Sequence, residues 1–302
     1  MTISFFFLLF SLGVLSTPIA ALIGTRVGVV DLPGGRRTHL GTIPRVGGIA
    51  IFLPFLFFLP AVAPHSTAYL PIAIGVGGLC LLGALDDALT LSPTVRLIVQ
   101  GLLCALALFL TFPEMKAIAF FLSLLFLLAL INSANFLDGI DALLLSLALP
   151  PLVALALSSN ATAPVALTVC ALLLGFLPWN LPRARIFLGD SGSTTIGFIM
   201  GYLALVTLHF TTASSSPLSP TVNIRTLPQI IAPYLRLILL FFVFFLDLTT
   251  TLTGRILRGV SPFRADRTHI HHRLTALIGE SRTRRLLFAL SSASSLLFFL
   301  TA

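Results

Sequence analysis

The feature that most constrains this chain is how rarely charge interrupts its apolar runs. Ten stretches of 15 to 21 residues (3–23, 46–63, 68–84, 97–112, 117–131, 142–159, 163–181, 193–210, 228–246 and 286–302) carry one charged side chain between them, Arg236. In lipid every backbone N–H and C=O must be satisfied within the chain, so such runs are read as membrane-spanning helices. They are continuous rather than alternating, which argues against a β-barrel. Only 9% of the residues are charged, against about 25% in soluble domains. Mean hydropathy is +1.07. A soluble enzyme, a secreted disulfide scaffold and a disordered chain are excluded. The expected fold is an all-α polytopic membrane protein of about ten transmembrane helices, one integral-membrane domain over residues 1–302. Met1–Ser4 lacks a basic flank, so the first run reads as a retained span rather than a cleaved signal.

Sidedness follows from the loops. Those at 24–45, 85–96, 132–141, 182–192 and 247–285 hold fifteen of the 18 basic residues. By the positive-inside rule they face the cytoplasm and both termini lie outside. Topology therefore explains the net charge of +8, and no nucleic-acid partner is needed. Nine of the ten acidic residues and four of the six histidines fall on that same side. Acidic residues contribute little to orientation, so this second bias points to chemistry gathered at one membrane face. Cys80, Cys104 and Cys170 lie in apolar runs without metal-ligand spacing and read as small buried residues. The glycines at 75, 77, 78, 197 and 201 read as helix-packing positions.

Five inner stretches carry the chemistry. Asp86 and Asp87 close the third span; adjacent carboxylates there repel, so they either solvate the helix end or serve as divalent-cation ligand and base. Asn132, Asn135, Asp138 and Asp141 recur every three residues, as a polar stripe on a helix. That stripe is either an interhelical network or a nucleotide contact. Phe187–Ser193 opens the eighth span, where glycines and serines would expose backbone N–H groups to an anion, with Asp190 holding a bridging metal; a simple N-cap is the alternative. Arg264–Arg273 packs arginines and histidines into a diphosphate cradle, a better reading than a zinc site. The basic first inner loop, with Asp31, Arg36, Arg37 and His39, is either part of the site or a lipid-headgroup anchor. Arg236 is expected to snorkel outward, and Asp247 to support the site from behind.

In order along the chain, DLPGGRRTHLGTIPRVGG, LGALDDALTLSPTVRL, NSANFLDGIDAL, FLGDSGS and ADRTHIHHRL resemble the motifs of the polyprenyl-phosphate N-acetylhexosamine-1-phosphate transferases, glycosyltransferase family 4. The HIHHR form is similar to the WecA/TagO-like branch and only distantly to MraY. The resemblance implies transfer of a sugar 1-phosphate, N-acetylglucosamine first among candidates, from a UDP-sugar to undecaprenyl phosphate, with release of UMP. N-acetylfucosamine and diacetamido sugars are alternatives. It implies Mg2+ as cofactor, with Mn2+ as a substitute, and a site built from the five cytoplasmic loops at a bacterial inner membrane. The residue roles it implies are Asp86, Asp87, Asp138 and His271 as catalytic and Asp190 with Asp87 on the metal. Asn135, Gly139, Ile140, Asp141 and Phe187 are implied on the nucleotide. His269, His272, Arg273 and Arg267 are implied on the diphosphate and sugar, and Arg37, His39 and Arg96 on the lipid phosphate. One departure is Asp141-Ala142, where the family usually has a second Asp-Gly; the methyl either crowds the nucleotide or packs.

Both substrates carry phosphate, so the chemistry needs charge neutralisation, and direct in-line attack is preferred to a phospho-aspartate intermediate. The rival classes are a secondary transporter, which would place its charges near the bilayer midplane, and a catalytically dead scaffold. Membrane lipids are expected partners; the sequence does not fix the oligomeric state, a homodimer included.

Overall fold

The computed structural model describes residues 1–32, 41–63, 69–213, 227–259 and 269–301. It is nearly all helical. The long helices are α1 (Ile3–Val27), α3 (Tyr69–Leu89), α4 (Pro93–Thr111), α5 (Ala117–Leu137), α7 (Ala163–Asn180), α8 (Gly189–Ala213) and α12 (Glu280–Leu300). Two shorter apolar helices are α2 (Gly47–Val62) and α6 (Leu143–Ser158). Helices α9 (Leu227–Leu240), α10 (Phe242–Leu257) and α11 (Ile270–Ile278) complete the set. Strands β1 (Val30–Asp31) and β2 (Ile43–Pro44) pair antiparallel between α1 and α2. Among the described residues, seven helices are long and apolar enough to cross a membrane, or eight if the α9–α10 pair is one span. The chain is a polytopic all-α membrane protein.

Each predicted run coincides with a helix, but the ninth departs from expectation. Instead of one helix over 228–246, the chain turns by 96° between α9 and α10. Just past the break, Ser133 Oγ of α5 donates to Phe244 O in the first turn of α10 at 2.5 Å, tying the two helices together. In lipid such a break survives only where protein satisfies it. The break also separates the apolar half from the polar half: the buried residues of α10 include Asp247, Thr251 and Arg255.

Helix α8 is the axis of the fold, packed against α2, α3, α5 and α6. Its neighbours approach closely because glycines stand at the contacts. Gly197 faces the α5 backbone at Ile131 and Leu130, and a Cβ at Gly75 would overlap the Phe198 ring. Arg236 reaches the far end of α12, donating to Thr301 O and lying over the Phe298 ring. It thus caps orphan carbonyls at a helix C-terminus, where positive charge is favoured. Cys104 and Cys170 are buried, Cys80 half-buried, and all three are free thiols.

Candidate active site

The site begins where α3 runs out of apolar residues. Asp86 folds the following turn back on itself: Oδ1 accepts the Leu91 N–H at 2.6 Å and Oδ2 accepts from Arg96 Nη1 at 2.6 Å. Ser92 caps α4, accepting from Val95 N, and Pro93 sits in the first turn. Arg96 is therefore held in that turn, facing the carboxylates. Both Asp86 oxygens are engaged in shaping the turn. The Asp87 side chain is fully buried and points the other way, its Oδ2 accepting the Ser191 N–H at 3.3 Å.

That contact takes one of the backbone N–H groups that the sequence left open to an anion at the start of α8. The anion at this helix N-terminus is the protein's own Asp87, and Ser191 and Ser193 are buried. The approach depends on glycine. Gly189 has φ +69°, and a side chain there would run into the Asp87 carboxylate and Arg45 O. A Cβ at Gly83 would meet the Asp190–Ser191 backbone, and one at Gly48 the Gly192 amide. The 44–48 segment joins the stretch before α8 through Phe187 N to Pro44 O, Gly47 N to Phe187 O and Gly48 N to Leu188 O.

Two guanidinium groups bridge the carboxylates. Arg96 Nη1 lies 2.6 Å from Asp190 Oδ2 as well as from Asp86. Arg45 Nη2 lies 2.9 Å from Asp87 Oδ1 and 3.7 Å from Asp190 Oδ1. Arg45 was not singled out by the motif reading; its place after β2, in RVGG, was the available signal. The Arg45 contact to Asp87 is off the hydrogen-bond direction, so buried Oδ1 is ion-paired but not hydrogen-bonded.

The polar stripe of 132–141 is only half helical. α5 ends at Leu137, Asp138 caps it, and Asp141 lies in the next turn. Asn132 donates to Gln100 Oε1 and Asn135 to Ser193 Oγ, tying α5 to α4 and α8. Asp138 is held well above the usual carboxylate range by burial and by the like charges of Asp190 and Asp87. Asp141 Oδ2 accepts the Ala184 N–H at 2.9 Å, and Arg284 donates to the Asp141 carbonyl at 2.8 Å. Ala142, where Asp-Gly was expected, adopts φ +57°, is 2% exposed, and donates its N–H to Asn180 Oδ1. Its methyl packs in the core.

The histidines arrive from the opposite side. His271 is buried, its ring 4.1 Å from that of His272, and a Cβ on Gly139 would lie 2.5 Å from its Nε2. Burial, reinforced by His272, pushes His271 down to about 3. Neither of its ring nitrogens has a hydrogen-bond partner among the described residues. His269 Nδ1 meets Asp247 Oδ2 at 2.8 Å. Arg273 is exposed on α11, Ile140 is buried and Phe187 half-buried. Arg37, His39 and Arg267 lie outside the described residues, as do Arg36, Arg264 and Asp266. The structure thus brings Asp86, Asp87, Asp190, Asn135, Asp138 and Arg96 to one place, and joins His271 and His272 to it through Gly139.

The donor chemistry fits a hard divalent cation. Asp87, with an oxygen lacking a hydrogen bond, and Asp190 supply two neighbouring carboxylates, and Mg2+ takes one or two carboxylates together with substrate phosphates.

Comparison with known proteins agrees with this constellation. The family model for Glycosyl transferase family 4 matches residues 69–208. The chain is 32% identical over 300 residues to an undecaprenyl-phosphate alpha-N-acetylglucosaminyl 1-phosphate transferase of Escherichia coli K12, covering 91% of this chain and 76% of that protein. It is 30% identical over 279 residues to a probable undecaprenyl-phosphate N-acetylglucosaminyl 1-phosphate transferase of Bacillus subtilis, covering 86% and 73%. It is 28% identical over 325 residues to a decaprenyl-phosphate N-acetylglucosaminephosphotransferase of Mycobacterium tuberculosis, covering 92% and 78%. On this shared sequence the chain belongs to glycosyl transferase family 4.

Proposed function

We propose that the protein transfers N-acetylglucosamine 1-phosphate from UDP-N-acetylglucosamine to undecaprenyl phosphate, releasing UMP, as the first membrane step of cell-envelope polysaccharide synthesis. The observation that carries this reading is the convergence of Asp87, Asp138 and Asp190 under Arg45 and Arg96, beside His271 and His272. Acids for a cation and fixed cations for phosphate, at one end of a helical bundle, suit a reaction between two phosphates. A transporter would need its charges near mid-membrane.

The arrangement we propose has ten spans, both termini outside and the pocket facing the cytoplasm of a bacterial inner membrane. Asp87 and Asp190 would hold Mg2+, or Mn2+ in its place, which when bound offsets the charge of the UDP diphosphate. His272 and Arg273 would donate to the diphosphate and sugar, with Arg267 beyond the described residues. Asn135, Gly139, Ile140, Asp141 and Phe187 would seat the nucleotide. Arg37 and His39 would meet the lipid phosphate, whereas Arg96 is committed to Asp86 and Asp190. A lipid phosphate has its second pKa near ~6 and is largely dianionic, so the nucleophile needs little help from a base. Asp86, with both oxygens engaged, is accordingly a shaper of the turn. Asp138, whose carboxyl burial holds well above the usual range, is the better placed group to lend or take a proton. In-line attack of the lipid phosphate on the β-phosphorus forms the new phosphoanhydride as UMP leaves.

The test is labelled lipid formation by the purified protein in detergent, with undecaprenyl phosphate and a panel of UDP-sugars, with and without chelator. UDP-N-acetylglucosamine should label lipid only with Mg2+ or Mn2+, and Asp190→Asn should abolish labelling. Absence of labelling with every UDP-sugar would overturn the reading. A burst of UMP without lipid acceptor would replace in-line attack by a phospho-aspartate route.

A further inference from the structure

His269 stands apart from its two neighbours. Asp247 Oδ2 lies 2.8 Å from its Nδ1, and Arg255 Nη2 lies 3.4 Å from its Nε2. Thr251 Oγ1 is also within 3.3 Å of Nδ1. Asp247, Thr251 and Arg255 recur every four residues on α10 and form one buried face, with Asp247 1% and Arg255 2% exposed. The Phe136 ring closes the sandwich, 4.9 Å from the His269 ring and 5.7 Å from the Arg255 guanidinium carbon. The second Asp247 oxygen accepts the Ile270 N–H at 2.7 Å, at the first residue of α11.

The donor and acceptor inventory fixes the tautomer. A guanidinium only donates, so the nitrogen facing Arg255 must offer a lone pair. A carboxylate only accepts, so the nitrogen facing Asp247 must carry the proton. Both ring nitrogens of His269 are then engaged by the protein.

We propose that Asp247, His269 and Arg255 form a buried positioning triad: it locks His269 as the Nδ1–H tautomer, anchors the start of α11, and so sets His271 and His272 against Gly139. His269 is then a positioning residue rather than a ligand of the diphosphate, which reassigns one member of the histidine motif. The histidines left for substrate are His271, whose two ring nitrogens have no hydrogen-bond partner among the described residues, and His272 beside it. As a statement about catalysis this rests on the transferase reading above; as a statement about structure it does not.

Two arms separate those levels. The first is 15N NMR of histidine-labelled full-length protein in detergent micelles at pH 8, with His269 assigned by its loss in His269→Asn. A pure Nδ1–H tautomer in the wild type, lost in Asp247→Asn, is expected. An Nε2–H or averaged tautomer overturns the triad, whatever the activity. The second arm is kinetic. His269→Asn keeps an N–H that can reach Asp247, so it should hold kcat within about tenfold and leave KM for UDP-N-acetylglucosamine unchanged, while Asp247→Asn should lower kcat about 10- to 100-fold, the range for a disrupted supporting partner. The double variant Asp247→Asn/Arg255→Gln should lose no more than the worse single variant, because both act through one ring. A raised KM in His269→Asn, or strictly additive losses, overturns the proposal. Thermal unfolding of each variant identifies any that fail to fold, and the His269→Asn result stands independently of those. An inactive wild type with the expected tautomer would refute the transferase reading and leave the triad standing.

Discussion

Arg96 offers the sharpest test, because two placements of it predict opposite behaviour. The first inner motifs suggested a lipid-phosphate contact. The structure instead puts one nitrogen 2.6 Å from both Asp86 and Asp190, with the side chain 32% exposed. Arg96→Gln would remove one positive charge beside the carboxylates proposed to hold the cation. At a separation of about 5 Å and an effective dielectric of about 40 to 80, suited to a partly exposed group, its repulsion of a divalent cation is worth about 1.7–3.3 kcal/mol. The cation should therefore bind about 15- to 240-fold more tightly in the variant, since about 1.4 kcal/mol is tenfold. The cost falls elsewhere: Asp86 and Asp190 lose their shared donor, and kcat should drop as Asp190 loses its fixed position. The assay is the Mg2+ concentration at half-maximal rate, at saturating lipid and UDP-sugar, followed by KM for the lipid. A lower Mg2+ requirement with an unchanged lipid KM is expected. A raised lipid KM with an unchanged Mg2+ requirement would refute the reasoning and return Arg96 to the lipid phosphate.

Gly139→Ala would place a methyl 2.5 Å from His271 Nε2 and 3.3 Å from the His272 ring; overpacking of about 1–3 kcal/mol is expected, with a fall in kcat larger than any change in melting temperature accounts for. His271 is held near 3 in the fold, below its unfolded value of about 6.5, so it resists a proton that the unfolded chain accepts. Stability should then fall as pH drops through 6.5, by up to about 1.4 kcal/mol per pH unit, and unfolding of His271→Gln measured from pH 8 to pH 5 should show a shallower decline. Ala142→Gly relieves a left-handed alanine, worth about 1–2 kcal/mol. It also loses a buried methyl of about 0.8 kcal/mol and gains unfolded-state entropy of about 0.4–1 kcal/mol. Melting should therefore barely move, and an improved KM for the UDP-sugar would show that the methyl reaches the nucleotide after all.

The helices were legible because lipid enforces one rule: a long run without charge must satisfy its own backbone. The break at Phe241 was not, because no proline or glycine marks it and the apolar pattern runs straight through. What gives it away is a polar face on α10, Asp247, Thr251 and Arg255, which a run of hydropathy averages out. Arg255 had been counted as a topological charge. The carboxylates were legible as a set, since acids do not gather at a membrane rim for orientation alone. Their division of labour was not. Which oxygen of Asp86 meets Leu91, or that Asp87 takes the Ser191 N–H in the first turn of α8, depends on where glycines let three helices touch. The three-residue spacing of Asn132 to Asp141 suggested one helical stripe; the left-handed Ala142 and the turn before it make it a helix end followed by a loop.

Charge balance in the pocket explains why these residues occur together. Asp86, Asp87, Asp138 and Asp190 meet only two guanidinium groups among the described residues, Arg45 and Arg96. Buried charge is costly unless paired, and here the acids outnumber their partners. A fold could relieve the excess by replacing an acid with an apolar side chain at little cost in packing. This one keeps all four, and burial beside Asp190 and Asp87 holds Asp138 well above the usual carboxylate range. An imbalance retained against stability marks a site whose charges are completed by what it binds. A divalent cation adds two positive charges and a diphosphate consumes them, so the same pocket suits both together better than either alone. Cation and UDP-sugar should therefore bind with positive coupling, each tightening the other by the same factor. Equal UDP-sugar affinity with and without Mg2+, measured on the Asp138→Asn variant and the wild type, would show that the four carboxylates are not balanced in this way.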